Sequence, residues 1–277
     1  MAVFTLTMGL CRIVDGQYFV LVSVAVNLLI VVFFVLSEHF IPYKKDWLEN
    51  KGDVKADAIQ TFLVLPTASK ISELVLPFLF YYPILWMSNS TSYSLSYLVK
   101  DLNFFVLFVV VLMSCEFFYY WFHRACHIIP VFWRFHAVHH GAARVYWLNA
   151  GRFHFVEAFF SSMIYFLPIA FFQPPAEIIV LIISVSAVTG FLEHVNVDFK
   201  GGYLNYIFNT AQLHRWHHSK VVRESNKNYG KVLVFWDLLF FTFFLPKERE
   251  VEKVGIVEDD VPIDIVGQLK YPFIKKS

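Results

Sequence analysis

The chain has 277 residues, 57% of them hydrophobic and only 16% charged, with 32 Phe, a positive mean hydropathy and a formal net charge of +1. That balance argues against a water-soluble globule and gives no footing for nucleic-acid binding. It fits one sizeable integral-membrane domain, residues 1–277, that crosses a bilayer several times.

Upstream of the first apolar run the chain has one Arg (Arg12) and no positive leader or cleavage site, so that run is expected to remain as an anchor. It spans 19–36 (FVLVSVAVNLLIVVFFVL), 18 nearly uninterrupted apolar positions, enough for one crossing. The loop at 42–57 carries four Lys and four acidic residues. Residues 58–87 are apolar but broken by Pro66, Ser69, Lys70 and Glu73; they read either as one long kinked helix or as an interfacial helix followed by a crossing. A polar stretch at 88–98, with an acceptor sequon Asn89-Ser90-Thr91, precedes a clean crossing at 101–122 that runs into His123. Two more apolar runs, 156–172 and 176–192, are split by Gln173-Pro174-Pro175 and form a predicted helical hairpin. Residues 232–246 are too short and interrupted for a crossing and are expected as a buried or interfacial element. Residues 249–277 read as a charged cytosolic tail lying against the same face as the histidines. The three Cys, at 11, 115 and 126, share no metal-site spacing and read as packing thiols.

Ten of the eleven histidines fall in clusters; only His39 stands apart, at the end of the first apolar run. His123 and His127 are four apart, on one helical face. His136, His139 and His140 repeat the H-x-x-H-H spacing of His214, His217 and His218, and His154 and His194 flank the hairpin. In H-x-x-H-H the outer pair shares a face while the adjacent pair splays, so one motif can serve two centres. Eight or more imidazoles exceed what one ion accepts, which points to a binuclear site for borderline divalent metals. The 39 residues between His154 and His194 correspond to roughly 58 Å of helical rise, close to two trips across a hydrocarbon core of about 30 Å. All ten histidines can therefore share one membrane face. Lys44, Lys45, Lys51 and Lys55 in the first loop and Arg124, Arg134, Arg144 and Arg152 near the histidines assign that face to the cytoplasm.

The segments E-x-x-x-Y-W-x-H-R-x-x-H, W-x-x-H-x-x-H-H and H-R-W-H-H, followed by N-x-N-Y-G and W-D, resemble the fatty acid hydroxylase/sterol desaturase superfamily over about residues 110–246. The resemblance implies an all-α, multi-pass transmembrane helical bundle with a cytosolic helical cap holding a polyhistidine dimetal site. It implies two Fe ions per chain held by the boxes at 123–127, 136–140 and 214–218, with His154 and His194, and O2 as co-substrate. Glu116, where the family commonly has Asp, is expected to orient a ligand imidazole from behind. Arg124 and Arg215 are expected to pair with acidic groups, and Asn228 and Asp237 to belong to a turn that closes the site, with Gly230 serving its backbone geometry. Phe155 stands where Pro often follows the fourth cluster. Trp121, Tyr146 and Trp147, with Trp133 and Trp216, form either an aromatic wall for substrate or an interfacial belt.

Such a centre facing an apolar interior suits O2-dependent attack on an unactivated C–H bond, with the protein supplying position and exclusion of water. The expected activity is hydroxylation or desaturation of a sterol, fatty acyl or alkylglycerol lipid. The histidine ligands alone do not separate the two outcomes. No cytochrome b5-like, Rossmann or flavin fingerprint is visible, so a separate electron donor, cytochrome b5-like or ferredoxin-like, is expected. The membrane would be the endoplasmic reticulum in a eukaryote or the inner membrane in a bacterium. The competing readings are a polyhistidine membrane metal carrier or sensor, and a catalytically inactive relative.

Overall fold

Proline and glutamine set the helix limits that the apolar pattern leaves open. In the computed structural model, which describes residues 18–83, 99–258 and 261–274, the chain is all-α: beyond its helices the described residues carry three isolated β-bridges. Cys11, Arg12, the stretch 88–98 and the Asn89 sequon lie outside the described residues. Among the described residues five helices are long and apolar enough to cross a membrane: α1 (Phe19–Phe40), α2 (Val54–Phe80), α3 (Phe104–Ile128), α5 (Phe155–Phe172) and α6 (Ala176–His194). The protein is a multi-pass membrane protein.

Over its described residues, 58–83, the segment that sequence left in two readings is one helix. In α2, Gln60–Val64 and Pro77–Tyr81 wind as π-helix. Those turns absorb Pro66 and Pro77, which have no N–H to give. Helix α3 starts where the Asn103 side chain accepts the Val106 N–H, and stops at Ile128 because Ile129, ahead of Pro130, is extended. Its 25 residues rise about 37 Å, longer than a hydrocarbon core of about 30 Å, so His123 and His127 emerge in its last turns. Pro130 then opens α4 (Pro130–His140). At the other end of the bundle Gln173 takes the left-handed conformation and Pro174-Pro175 restart the chain as α6.

Helix α5 packs against both α2 and α3, while α6 packs against α1. The intramembrane core centres on Val111, Leu112, Cys115, Ile178, Leu181 and Ile182. Cys115 and Cys126 are buried free thiols, as packing residues should be. The histidine end is capped by α4, the 3-10 turn Trp147–Gly151, α7 (Ala211–His217), α8 (Val222–Ser225), α9 (Phe235–Leu239) and α10 (Ile265–Lys270). Phe235, Leu238, Leu239 and Phe241 of the α9 region are exposed. The final segment folds back over the cap: the Gly255 N–H donates to His218 O (3.1 Å), and Gln60 of α2 bonds Gln268 of α10.

Buried ion pairs fasten this cap to the bundle. Arg144 donates twice to Asp53 (2.7 and 2.9 Å) and Arg152 donates to Asp57 (3.0 Å), which also takes the Tyr146 hydroxyl (2.8 Å). Glu38 of α1 accepts the backbone N–H of both Trp147 and Asn196 at 2.8 Å. Asp53, Asp57, Arg144 and Arg152 are therefore paired where helix ends meet the cap.

Candidate metal centre

Nine histidines converge into two adjoining groups. His123, His127, His136, His140 and His217 form one, and His139, His194, His214 and His218 the other, with the ligand-capable nitrogens within 4.8 Å of one another in each. Helical spacing explains the division. In α4 the i,i+4 pair His136/His140 serves the first group and His139 the second; around α7 the i,i+4 pair His214/His218 serves the second group and His217 the first. The His140 and His218 rings stack 4.4 Å apart where the groups meet.

Most of these rings are oriented by a partner on Nδ1. His123 donates from Nδ1 to Tyr229 O (2.8 Å), His139 to Arg152 O (3.2 Å) and His217 to Lys227 O (2.7 Å). A carbonyl only accepts, so Nδ1 carries the proton and Nε2 presents a lone pair. His127 and His194 donate similarly to the side-chain oxygens of Asn226 (3.1 Å) and Asn149 (2.8 Å), and His136 pairs with the Glu157 carboxylate at 2.5 Å. The Nε2 atoms then face one another: His123–His136, His127–His136 and His140–His217 at 3.1 Å in the first group, and His194–His214 at 2.9 Å, His214–His218 at 3.0 Å and His139–His218 at 3.1 Å in the second. Lone pairs at that distance repel unless a cation lies between them. Nitrogen ligands at right angles, each about 2.1 Å from an ion, sit roughly 3.0 Å apart. The donor sets fit two metal ions, and the arrangement is a dimetal site. Burial, reinforced by neighbouring imidazoles, holds His136, His139, His140, His214 and His218 well below the usual histidine range, and burial brings His217 to about 4. At neutral pH these imidazoles are uncharged and competent as ligands.

His154, expected from the sequence as a ligand, is not brought to either group. Its Nδ1 accepts the Val156 N–H at the start of α5 and its Nε2 donates to Leu269 O (both 3.1 Å), so both nitrogens are committed. Glu116 is likewise not against an imidazole: one carboxylate oxygen accepts the backbone N–H groups of Lys231, Val232 and Leu233. The carboxylate that does hold a histidine is Glu157, missed in the sequence although a lone acid in an apolar run is a readable signal. Asn149 and the backbone acceptors carried no such signal. Arg124 donates to the Tyr120 hydroxyl and lies over Trp121, and Arg215 donates to Val197 O and stacks 4.0 Å from Tyr43; among the described residues neither makes an ion pair with an acidic group.

Asn228 and Asp237 do build the closing turn. Asn228 sits at φ 55° and bonds Leu213 O and Phe244, while Asp237 accepts the N–H of Tyr229 and Gly230, fixing the carbonyl that orients His123. The left-handed residue is Asn228; Gly230 is needed instead for close approach to Leu233 O.

A cavity of about 940 Å³ lies between α2, α5 and α6, bordered along its length by Ser69, Leu76, Ser162, Phe166, Ile183 and Gly190. From Ala158 to Gln173 it follows α5 for about 22 Å. At the histidine end it is closed by Tyr119 and Phe153. Tyr119 lies 5.4 Å from the His123 ring, and Phe153 stacks on His139 at 4.3 Å. One wall residue thus touches each histidine group. Trp121, Tyr146 and Trp147 do not border this cavity: Trp121 packs on Phe240 and is substantially exposed, Tyr146 is tied to Asp57, and Trp147 packs near Phe62 and Phe191.

The fatty acid hydroxylase family model matches residues 108–242, which contain all nine clustered histidines. Ornithine lipid hydroxylase OlsE of Rhizobium tropici is 33% identical over 97% of this chain and 82% of its own length. The chain belongs to the fatty acid hydroxylase/sterol desaturase superfamily. Alkylglycerol monooxygenases of Xenopus tropicalis (34% identical over 50% of this chain) and Homo sapiens (33% over 58%) also match, across 30% and 35% of their own lengths. No solved structure matches. Membership, with the dimetal site, makes the protein an O2-dependent lipid-modifying oxidase.

Proposed function

We propose that the protein holds two iron ions and inserts oxygen into an unactivated C–H bond of a polar membrane lipid drawn laterally from the bilayer. The observation that carries this reading is the floor of the intramembrane cavity, where Tyr119 meets His123 and Phe153 meets His139. A lipid chain lying between α2, α5 and α6 would end at Tyr119 and Phe153, one ring away from each histidine group. The cavity is near the upper end of small-molecule pocket sizes.

Two irons held by the nine clustered histidines would supply the activation of O2 needed to break a C–H bond. Five nitrogen donors in one group and four in the other would hold the two ions. The chain's own part is positional. Tyr229 O, Asn226, Glu157, Arg152 O, Asn149 and Lys227 O hold the imidazoles so that Nε2 faces inward without reorganisation. The apolar walls exclude water from the reacting carbon. The relatives' names, hydroxylase and monooxygenase, favour oxygen insertion over desaturation. The Lys and Arg flanking the histidine end favour a cytoplasmic site, to which a separate cytochrome b5-like or ferredoxin-like donor would deliver electrons.

The deciding experiment is purification in detergent from iron-supplemented cells, with metal analysis, Mössbauer spectra before and after O2, and lipid extracts analysed for incorporation of 18O2. The expected result is two irons per chain, a coupled diferric signal and one 18O atom in a lipid product. A folded protein from those cells holding one ion or none would overturn the di-iron reading.

A further inference from the structure

We infer that Lys70 and Glu73 form a subsite for a zwitterionic lipid head group, each charge of the head pairing with one of the two side chains. The inference rests on the cavity being the substrate's site and adds what kind of head group is read there.

Lys70 and Glu73 interrupt the second apolar run, and neither belongs to the histidine groups. Their i,i+3 spacing puts both on one face of α2, and that face borders the cavity. A neighbouring bond fixes their depth. The Ser69 and Ser162 hydroxyls meet at 2.8 Å, tying α2 to α5 one residue before Lys70. Ser162 stands seven residues after the start of α5 at Phe155 and ten before its end at Phe172, about 10 Å and 15 Å of rise. Both helices run away from the histidine end: Asp57, near the start of α2, pairs with Arg152, and α5 begins after His154. Lys70 and Glu73 therefore lie near the middle of the hydrocarbon core. Thr61, which donates to Leu148 O, borders the cavity nine residues before Lys70 and twelve before Glu73, about 14 Å and 18 Å away along the helix.

Ionisable side chains at that depth are costly, rare and by default functional. Lys70 Nζ donates to both Glu73 oxygens, at 3.0 and 2.9 Å, yet the two side chains stay 63% and 67% exposed. Among the described residues each makes its ion pair with the other alone. An ammonium has three donors and a carboxylate about four acceptor sites, so the pair has capacity beyond its mutual bonds. The other charged residue on the cavity border, Lys231, lies at the histidine end, 5.3 Å from the Tyr119 ring.

Charge balance selects the ligand. An anionic head that took Lys70 would strand Glu73 in a medium of low dielectric, and a cationic head that took Glu73 would strand Lys70. A neutral head would find the two charges already satisfied by each other. A zwitterion exchanges one ion pair for two: its cation meets Glu73, its anion meets Lys70, and all four charges end paired. The length of the cavity toward Tyr119 and Phe153 is then left to the alkyl chain.

Four photo-crosslinking diacyl lipids provide the test, identical in chains and diazirine position: phosphatidylethanolamine (zwitterionic), phosphatidylglycerol (anionic), a trimethylammonium-propane (cationic) and diacylglycerol (neutral). Metal-loaded protein in non-ionic detergent is titrated with each, and labelling is read by intact-protein mass spectrometry and peptide mapping. The expected result is labelling on α2, α5 and α6, with an apparent Kd for phosphatidylethanolamine about ten-fold below those of the other probes. Lys70→Met should move the preference to the cationic probe and Glu73→Gln to the anionic one. The exchanged pair, Lys70→Glu with Glu73→Lys, should keep the preference for the zwitterion. Equal affinity for the four probes, labelling by none, or a zwitterion preference undiminished in both single variants would overturn the inference. Iron content and 18O incorporation in the same samples report separately: two irons and a labelled product without a head-group preference would leave the oxidase standing and remove this subsite.

Discussion

A neutral imidazole has one N–H and one lone pair, and at this centre the use of each decides which histidines could serve as ligands. His136 spends its N–H on Glu157, leaving Nε2 turned toward His123 and His127. His154 spends both nitrogens on backbone, at Val156 and Leu269. His154→Ala is therefore expected to keep both metals and most activity while losing about 1–2 kcal/mol of stability, as removal of a helix cap and a hydrogen bond does. His136→Ala should lose metal from the first group and at least a hundred-fold in lipid turnover. Glu157→Gln should weaken metal affinity or turnover about 10–100-fold, the usual effect of removing the partner behind a ligand. Metal analysis, calorimetry and product assays on the three variants separate these roles. From spacing alone His154 is indistinguishable from a ligand, because what disqualifies it is a hydrogen bond to a residue 115 positions away.

At the scale of elements, the cap behaves as a set of short helices whose inward face is imidazole rather than aliphatic. Helix α4 buries His136, His139 and His140, and α7 with its C-cap buries His214, His217 and His218. Burial lowers the pKa of His217 to about 4, from an unfolded value near 6.5. A lowered value in the folded state means the unfolded chain binds the proton first. The stability held by neutral His217 is thus complete above about pH 6.5 and is lost as pH falls from there through about 4. The expected outcome is a Tm that declines steadily from pH 7 to pH 4, with metal release over the same window as protons compete for the ligands. Thermal scans and metal retention at stepped pH check it. The two π-helical turns of α2 show the limit of reading elements from pattern: Pro66 breaks an apolar run on paper, yet the helix continues by rewinding around it.

Over the whole molecule, the metal centre and the membrane cavity lie side by side, separated by the rings of Tyr119 and Phe153. Gly190 offers a clean way to test the cavity's purpose. It borders the cavity on α6, and a Cβ placed there would meet nothing within 4 Å. Gly190→Leu should fill the space without disturbing packing. Lipid turnover is expected to fall at least ten-fold, while iron content holds and stability stays level or rises by about 0.5–1 kcal/mol from the better helix former. Turnover and Tm measured together check it; unchanged turnover would move the substrate path elsewhere.

The sequence by itself determined the all-α membrane architecture, the hairpin limits and the three histidine boxes, because apolar length, proline positions and i,i+4 spacing are local properties of a chain. Only the tertiary structure decided that His154 stands apart, that Glu157 rather than Glu116 holds a ligand, and that Ser162 meets Ser69 at the cavity wall, which sets the depth of Lys70 and Glu73. Each of those depends on which distant segment supplies the partner for a buried polar atom. A nitrogen or oxygen shut away from water must find that partner in the fold, and local pattern carries no record of where it comes from.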